Sequence, residues 1–400
     1  MTVASDFSDD VEPFRLSMLI YDKRYRSYTL QIITIALFML AVGWLVSNVV
    51  QNFRDLGKEF SFAFLWEPAS YDINQRLIEY SSRSPHWKAA VVGILNTLVI
   101  AFLGCIAATI LGVAIGVMRL SKNWLVSRLM TVYIEGFRNV PVLLWILLAS
   151  TAFSAMLPAP RQAPLLLGGA FVPTNRGFYV PAPIWESGSG VLGIIFVASI
   201  IGAWLFGRWA KARQAATGEI LPVLWIRLAI IILPVVIFYF LLGRPVGLSM
   251  PELKGFNFQG GGFVRNSFMA LWIALSLYTA AFIAENVRSG IQAISKGQTE
   301  AAYSLGLPPN RTMNLVILPQ ALRIIIPPLI SQYLNLTKNS SLAIAVGYMD
   351  ITGTLGGITL NQTGREMESL MLVMGFYLVV SLLISAVMNV YNNSVAIKER

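Results

Sequence analysis

Residues 89–118 read AAVVGILNTLVIAFLGCIAATILGVAIGVM, thirty positions without an Asp, Glu, Lys or Arg. A helix rises 1.5 Å per residue and the hydrocarbon layer of a bilayer is about 30 Å thick, so about 20 apolar residues cross it. This run crosses with length left over for tilt. Working outward, the same test finds runs at 30–50, 139–157, 191–207, 228–242, 266–283, 324–346 and 369–391. Those at 30–50 and 369–391 carry no formal charge. The run at 228–242 is short unless the stretch from Pro222 is added, which places Arg227 near its cytoplasmic end, where it would snorkel. The expectation is an all-α fold, a polytopic bundle of about eight transmembrane helices.

The composition agrees. Of 400 residues 56% are hydrophobic and 12% charged, with a mean hydropathy of +0.65. A soluble chain needs about a quarter of its residues charged, so a soluble globule is excluded. The net charge of +10 fits either nucleic-acid binding or the cytoplasmic bias of basic residues in membrane proteins. An even number of spans puts both termini on one side. With the N-terminal tail in the cytoplasm, inner segments hold 18 of the 30 Lys and Arg residues and outer segments 11, and Lys338 lies within a span. Topology thus explains the basic excess, and no nucleic-acid partner is expected. The run at 30–50 follows an acidic tail with Asp6, Asp9, Asp10 and Glu12 and precedes no small-residue cleavage site, so it is expected to stay as an anchor. The one cysteine, Cys105, and the one histidine, His86, allow no disulfide framework and make a Cys/His metal cluster implausible. They read as an apolar packing residue and a loop residue.

Two outer segments are long, 51–88 and 158–190, the second crowded with six prolines, and both read as extended loops or short re-entrant elements. No fixed-period repeat and no pair of matching halves stands out. The inner segment 289–323 is polar and carries helix punctuation. Thr299 can cap a first turn opening with Glu300, and Gly306 can close it before Pro308 and Pro309. A helix of about two turns is too short to hold alone in water, so it packs on its own bundle or on a partner.

The run Glu300-Ala301-Ala302-Tyr303-Ser304-Leu305-Gly306, with Val316-Ile317-Leu318-Pro319 beginning ten residues after the glycine, resembles the E-A-A-x3-G-x9-I-x-L-P loop of bacterial ABC-importer permeases. The one departure is Val316 for isoleucine. Flanking pieces narrow the likeness: Gly93-Ile94-Leu95-Asn96-Thr97-Leu98, residues 133–141, 278–291 and 333–342 are similar to polar amino-acid permeases of the histidine/glutamine type, with Asn139 where glycine is common. The resemblance covers roughly 89–157 and 265–395 and is greatest to long membrane subunits of general L-amino-acid uptake systems of alphaproteobacteria. It implies a type I importer permease organised as tail, extra first span and outer loop (1–88), first part of the core (89–157), an insertion with two extra spans (158–264) and second part of the core (265–400). It also implies a coupling helix at Glu300, Ala301, Ala302 and Gly306 that seats in a cytoplasmic ATPase. The further partners implied are a second related permease, an extracytoplasmic amino-acid-binding protein, L-amino acids and the inner membrane.

No G-x-x-x-x-G-K-[ST] occurs, and Gly260-Gly261-Gly262 leads into Phe263 without the lysine that holds phosphates. The chain is therefore expected to lack an ATPase site and any cofactor of its own, with ATP and Mg bound by the partner. Glu300 also has a plain reading as a helix-dipole charge worth under about 1 kcal/mol. A charge at mid-bilayer costs at least about 2.5–3.5 kcal/mol on insertion scales, which singles out Lys338. Asn335, Lys338 and Asn339 share one helix face, with Thr337 and Ser340 beside them and Gln332 one turn below. Either these groups hold an α-carboxylate, or Lys338 snorkels or pairs with Asp350. Glu285 and Glu135 could meet an α-ammonium or pair locally with Arg288 and Arg138 at i+3. Pro327-Pro328 would free carbonyls that line a cavity or would kink packing. Gly112 and Gly116 form a G-x-x-x-G, read as bundle packing ahead of a dimer interface. The function expected is a permease subunit of an ATP-driven L-amino-acid importer working by alternating access. The alternatives are an ion-gradient secondary transporter, with Glu135, Glu285 and Lys338 as its relay, and a structural membrane protein.

Overall fold

The computed structural model describes residues 18–55, 57, 60–219 and 221–395. The acidic tail and the basic residues Arg15, Lys58, Lys398 and Arg400 counted above lie outside the described residues. The chain divides into two compact units, Met1–Ala63 and Phe64–Arg400. The first is built on one long helix, α1 (Lys23–Asp55). The second holds α2 (His86–Arg119), α3 (Trp124–Asn139), α4 (Val142–Met156), α5 (Ser189–Thr217), α6 (Val223–Leu241), α7 (Asn266–Gln292), a short α8 (Lys296–Ser304), α9 (Leu318–Asn339) and α10 (Glu366–Val395). Among the described residues seven helical stretches are long and apolar enough to span a membrane, eight if the bent pair α3–α4 counts as one.

That bend is 104° and has a local cause. Pro141 has no N–H to donate and forces the residue before it out of the helical region, so Val140 sits at φ −112°, ψ 133°. The run read as a span at 139–157 therefore begins at a break. Its helical part, 15 residues in α4, is only about 22 Å long. The amphipathic α3 before it had not been expected. Phe137 and Trp145 stack across the break at 4.3 Å. Pro327 and Pro328, by contrast, lie inside an unbroken α9. The short run at 228–242 does extend back to Pro222, as α6 starts at Val223.

The core is the α2–α7 pair, where Ile100, Leu271, Leu275 and Ile283 are fully buried, with Ile325 and Leu336 of α9 packed in. Gly112 and Gly116 make the contact possible. A Cβ on Gly112 would lie 2.6 Å from Ile283 Cβ, and one on Gly116 would lie 2.7 Å from the Ala284 carbonyl oxygen. The G-x-x-x-G thus packs within the chain's own bundle. Among the described residues seven short strands, unforeseen in the sequence, lie at 172–265. Val172–Thr174 (β1), Gly177–Val180 (β2) and Gly262–Arg265 (β7) form an antiparallel sheet. Ala182–Trp185 (β3) pairs Val246–Ser249 (β4), and Glu252–Lys254 (β5) pairs Asn257–Gln259 (β6).

Two single-residue readings are corrected. His86 is not a loop residue: it opens α2, is buried, and its Nδ1 lies 3.0 Å from Thr359 Oγ1, which also meets the Tyr71 hydroxyl at 3.0 Å. Arg227 does more than snorkel. Its guanidinium lies over Gly207 of α5 and Nε donates to the Ala203 carbonyl at 2.9 Å, which the missing side chain of Gly207 permits.

Candidate functional site

The helix α8 starts at Ser295 as its cap, so Thr299 lies inside it and does not cap. Four extra residues at the front, Lys296–Thr299, lack strong breakers apart from Gly297, and the helix simply extends over them. The C-terminal reading stands. Gly306 sits at φ +75°, Leu307 N–H donates to Ala302 O at 3.1 Å and Gly306 N–H to Tyr303 O at 2.9 Å, the paired bonds of a Schellman closure. Ala302 is buried against the chain, while Glu300, Ala301, Tyr303, Leu305 and Gly306 face outward. A cleft of about 650 Å³ separates the start of α8 from that of α9, bridged by Gln320 Nε2 donating to Gln298 Oε1 at 3.2 Å. The short helix thus has one face on its own bundle and another, with Tyr303 and the following Leu305, exposed.

Next to it, three helix ends are tied by charge. Glu285 of α7 is paired closely with both Arg288 and Arg119, the last residue of α2, and Arg119 reaches Glu135 of α3 at 3.9 Å. The local pair expected for Glu285 forms. The one expected for Glu135 does not: Arg138 turns instead to the Phe282 ring, 5.5 Å from its centroid, because that face of α3 packs on α7. Glu285 therefore serves in an ion network at the helix ends. Arg119 was missed by sequence reasoning, since its partners lie far along the chain.

Above the network α7 and α9 enclose a cleft of about 350 Å³, lined by Tyr278, Thr279 and Phe282 of α7 and Gln332, Asn335 and Asn339 of α9. Three of the sequence candidates are thus brought together. Thr337 and Ser340 are not with them. Both are buried on another face, their hydroxyls donating to Tyr333 O and Thr337 O, so they serve the helix backbone. Lys338 is exposed and does not line the cleft, and Asp350 is buried elsewhere, with Oδ1 accepting the Gly353 N–H at 2.8 Å and Oδ2 the Tyr377 hydroxyl proton at 3.3 Å. The α7 residues were missed because aromatic and hydroxyl side chains in an apolar run read as packing. Among the described residues no charged side chain lines the cleft, and its walls offer amide and hydroxyl hydrogen-bonding groups and aromatic surface.

Residues 213–395 match the family model described as the inner-membrane component of binding-protein-dependent transport systems. Over 97% of each chain, the sequence is 51% identical to the glutamate/glutamine/aspartate/asparagine transport system permease protein BztB of Rhodobacter capsulatus. The chain belongs to this permease family. The permease protein AapQ of a general L-amino acid transport system of Rhizobium johnstonii is 45% identical, over 97% of this chain and 96% of its own. A putative amino-acid ABC transporter permease of Escherichia coli, YhdX, is 44% identical, over 94% and 95%. As a permease of this family the chain is a multi-pass inner-membrane subunit without an ATPase site, and it works with a separate ATPase and a binding protein. Family membership counts against the ion-gradient reading. The matched region includes α6, so the family model reaches into the stretch read as an insertion.

Proposed function

We propose that this permease imports L-amino acids, the acidic and amide ones among them, with both termini in the cytoplasm. A binding protein delivers substrate outside, and an ATPase, which holds ATP and Mg, seats on α8. A second, related permease completes the pathway. The observation that carries the reading is the outward-facing α8, Schellman-closed and bearing the Glu300-Ala301-Ala302 and Gly306 pattern, together with an uncharged α7–α9 cleft with three amide side chains. A cleft that reads substrate by neutral hydrogen bonds suits several polar side chains, in keeping with relatives named for glutamate, glutamine, aspartate and asparagine or for L-amino acids in general. Gln332, Asn335 and Asn339 line the path in this reading, and Lys338 stands beside it. The test is uptake of labelled amino acids into proteoliposomes holding the chain with its partner subunits, ATP on one side, binding protein on the other, and no ion gradient. Uptake should need ATP and should fall more for Asn335→Ala than for Lys338→Met. Gradient-driven uptake by the chain alone would overturn the reading.

A further inference from the structure

The end of the bundle opposite α8 holds a second cavity, of about 300 Å³, that the proposed pathway does not use. Four stretches of chain build it: the loop at 74–77, Asn96 and Val99 near the start of α2, the β7 strand, and Phe268 with Tyr348 as its aromatic side. The arrangement is tied. Asn96 Nδ2 donates to Gln75 O and to Met349 O, both at 2.8 Å, and the Tyr348 hydroxyl donates to Asn96 O at 3.0 Å. Phe268 and Tyr348 rings lie 5.8 Å apart. Along α7, Phe268 stands about 16 Å from Thr279 of the α7–α9 cleft, at 1.5 Å per residue.

Among the described residues Arg76 is the one charged side chain lining the cavity. Its contacts, to Tyr80 O and to Asp72 at 3.4 Å, are both made by Nη1, which leaves Nε and Nη2 as donors. The Asp72 pair is exposed on both sides, and such pairs hold little energy in water. A cavity at the small end of the range for ligand sites, with one guanidinium and flanking amides, suits a single small carboxylate.

We propose that this cavity is a second amino-acid site, in which Arg76 holds the substrate α-carboxylate before the substrate reaches the α7–α9 cleft. The proposal rests on the amino-acid reading above. It is tested on the assembled transporter in nanodiscs, without ATP or binding protein, by equilibrium binding of labelled L-glutamine and of its α-amide, which lacks the carboxylate. ATP-driven uptake is measured in parallel.

Glutamine should bind, and the amide about tenfold more weakly or worse. Arg76→Gln should weaken this binding component about tenfold and Arg76→Lys should recover part of it. Val99→Phe adds bulk to the cavity from α2 while leaving Arg76 itself unchanged, and should remove the same component from a protein that remains folded by thermal unfolding. A component removed by Gln332→Ala should persist in Arg76→Gln. Equal glutamine binding by wild type and Arg76→Gln, with ATP-driven uptake intact, overturns this proposal alone. So does unchanged glutamine binding with weakened docking of the binding protein, which would make Arg76 a protein contact. Loss of ATP-driven uptake from the wild type would overturn the amino-acid reading and this site with it.

Discussion

Adding single methyl groups to glycines tests how the α2–α7 contact is made. On Gly112 the new Cβ would lie 2.6 Å from Ile283 Cβ and 3.0 Å from the Ala280 carbonyl oxygen; on Gly116, 2.7 Å from the Ala284 carbonyl oxygen and 2.9 Å from Val287 Cβ. Ordinary contacts lie near 3.5–4.0 Å, so each methyl is about 1 Å too close to backbone or to a Cβ, neither of which can rotate away. Overpacking of this kind costs about 1–3 kcal/mol, and the two sites share one interface, so their costs will not simply add. Gly104 provides a graded control, because the nearest atoms its methyl would meet belong to the Leu336 side chain, the closest a Cδ at 3.1 Å, at the end of a side chain that can turn. Its cost should stay under about 1 kcal/mol. Gly136 has nothing within 4 Å, and alanine there should gain up to about 1 kcal/mol of helix propensity. Cys105 is the chain's one cysteine and lies partly buried on α2. A thiol-reactive fluorophore therefore reports the opening of that helix during thermal unfolding. The expected order of stability is Gly136→Ala, Gly104→Ala, then Gly112→Ala and Gly116→Ala. Wild-type unfolding of Gly116→Ala, or a larger loss for Gly136→Ala than for Gly112→Ala, would refute the close-contact account.

Two further outcomes follow from backbone strain and from a buried acid. Gly306 needs its left-handed φ and not its small size, since nothing lies within 4 Å of it. A residue with a Cβ costs about 1–2 kcal/mol there, so Gly306→Val should lower ATP-driven uptake several-fold while ATP hydrolysis continues, and Gly306→Asn, which tolerates that φ, should retain more. Burial pushes the Asp350 carboxyl from 3.8 up to about 6, so the folded chain holds that proton more tightly than the unfolded one. The stabilisation is then fully present below about pH 4 and is lost as pH rises through 6, by on the order of 3 kcal/mol at most. Asp350→Asn keeps an acceptor for the Gly353 N–H and removes the titration. Thermal unfolding at pH 4.5, 6 and 7.5 should show the wild type losing stability relative to the variant as pH rises.

Much of the fold was legible because it depends on near neighbours. A run such as 89–118 crosses a bilayer by its length and apolarity alone, and Gly306 closes α8 by a conformation that it can adopt without strain. Where the signal was weaker, reading failed for definable reasons. Residues 124–139 form an amphipathic helix with no 20-residue apolar run, so α3 went unseen. Thr299 looked like a cap because the cap preference of threonine is indifferent to the helix that Ser295 had already begun. In the cleft, Gln332, Asn335 and Asn339 showed themselves as polar groups in an apolar span. Tyr278, Thr279 and Phe282 carried no such contrast.

The amino-acid sequence by itself determined the solvent, the long apolar runs and the absence of a phosphate-binding loop. Each of these rests on composition or on spacing within a few turns. Only the tertiary structure decided which face of each helix meets which neighbour. It put Arg119 on Glu285 in place of leaving Glu135 to Arg138, withdrew Thr337 and Ser340 into packing, and brought Arg76, Asn96, Phe268 and Tyr348 around one cavity. Apolar runs leave helix rotation and register open, and those are set by contacts such as Gly112 on Ile283, between residues that the sequence keeps far apart.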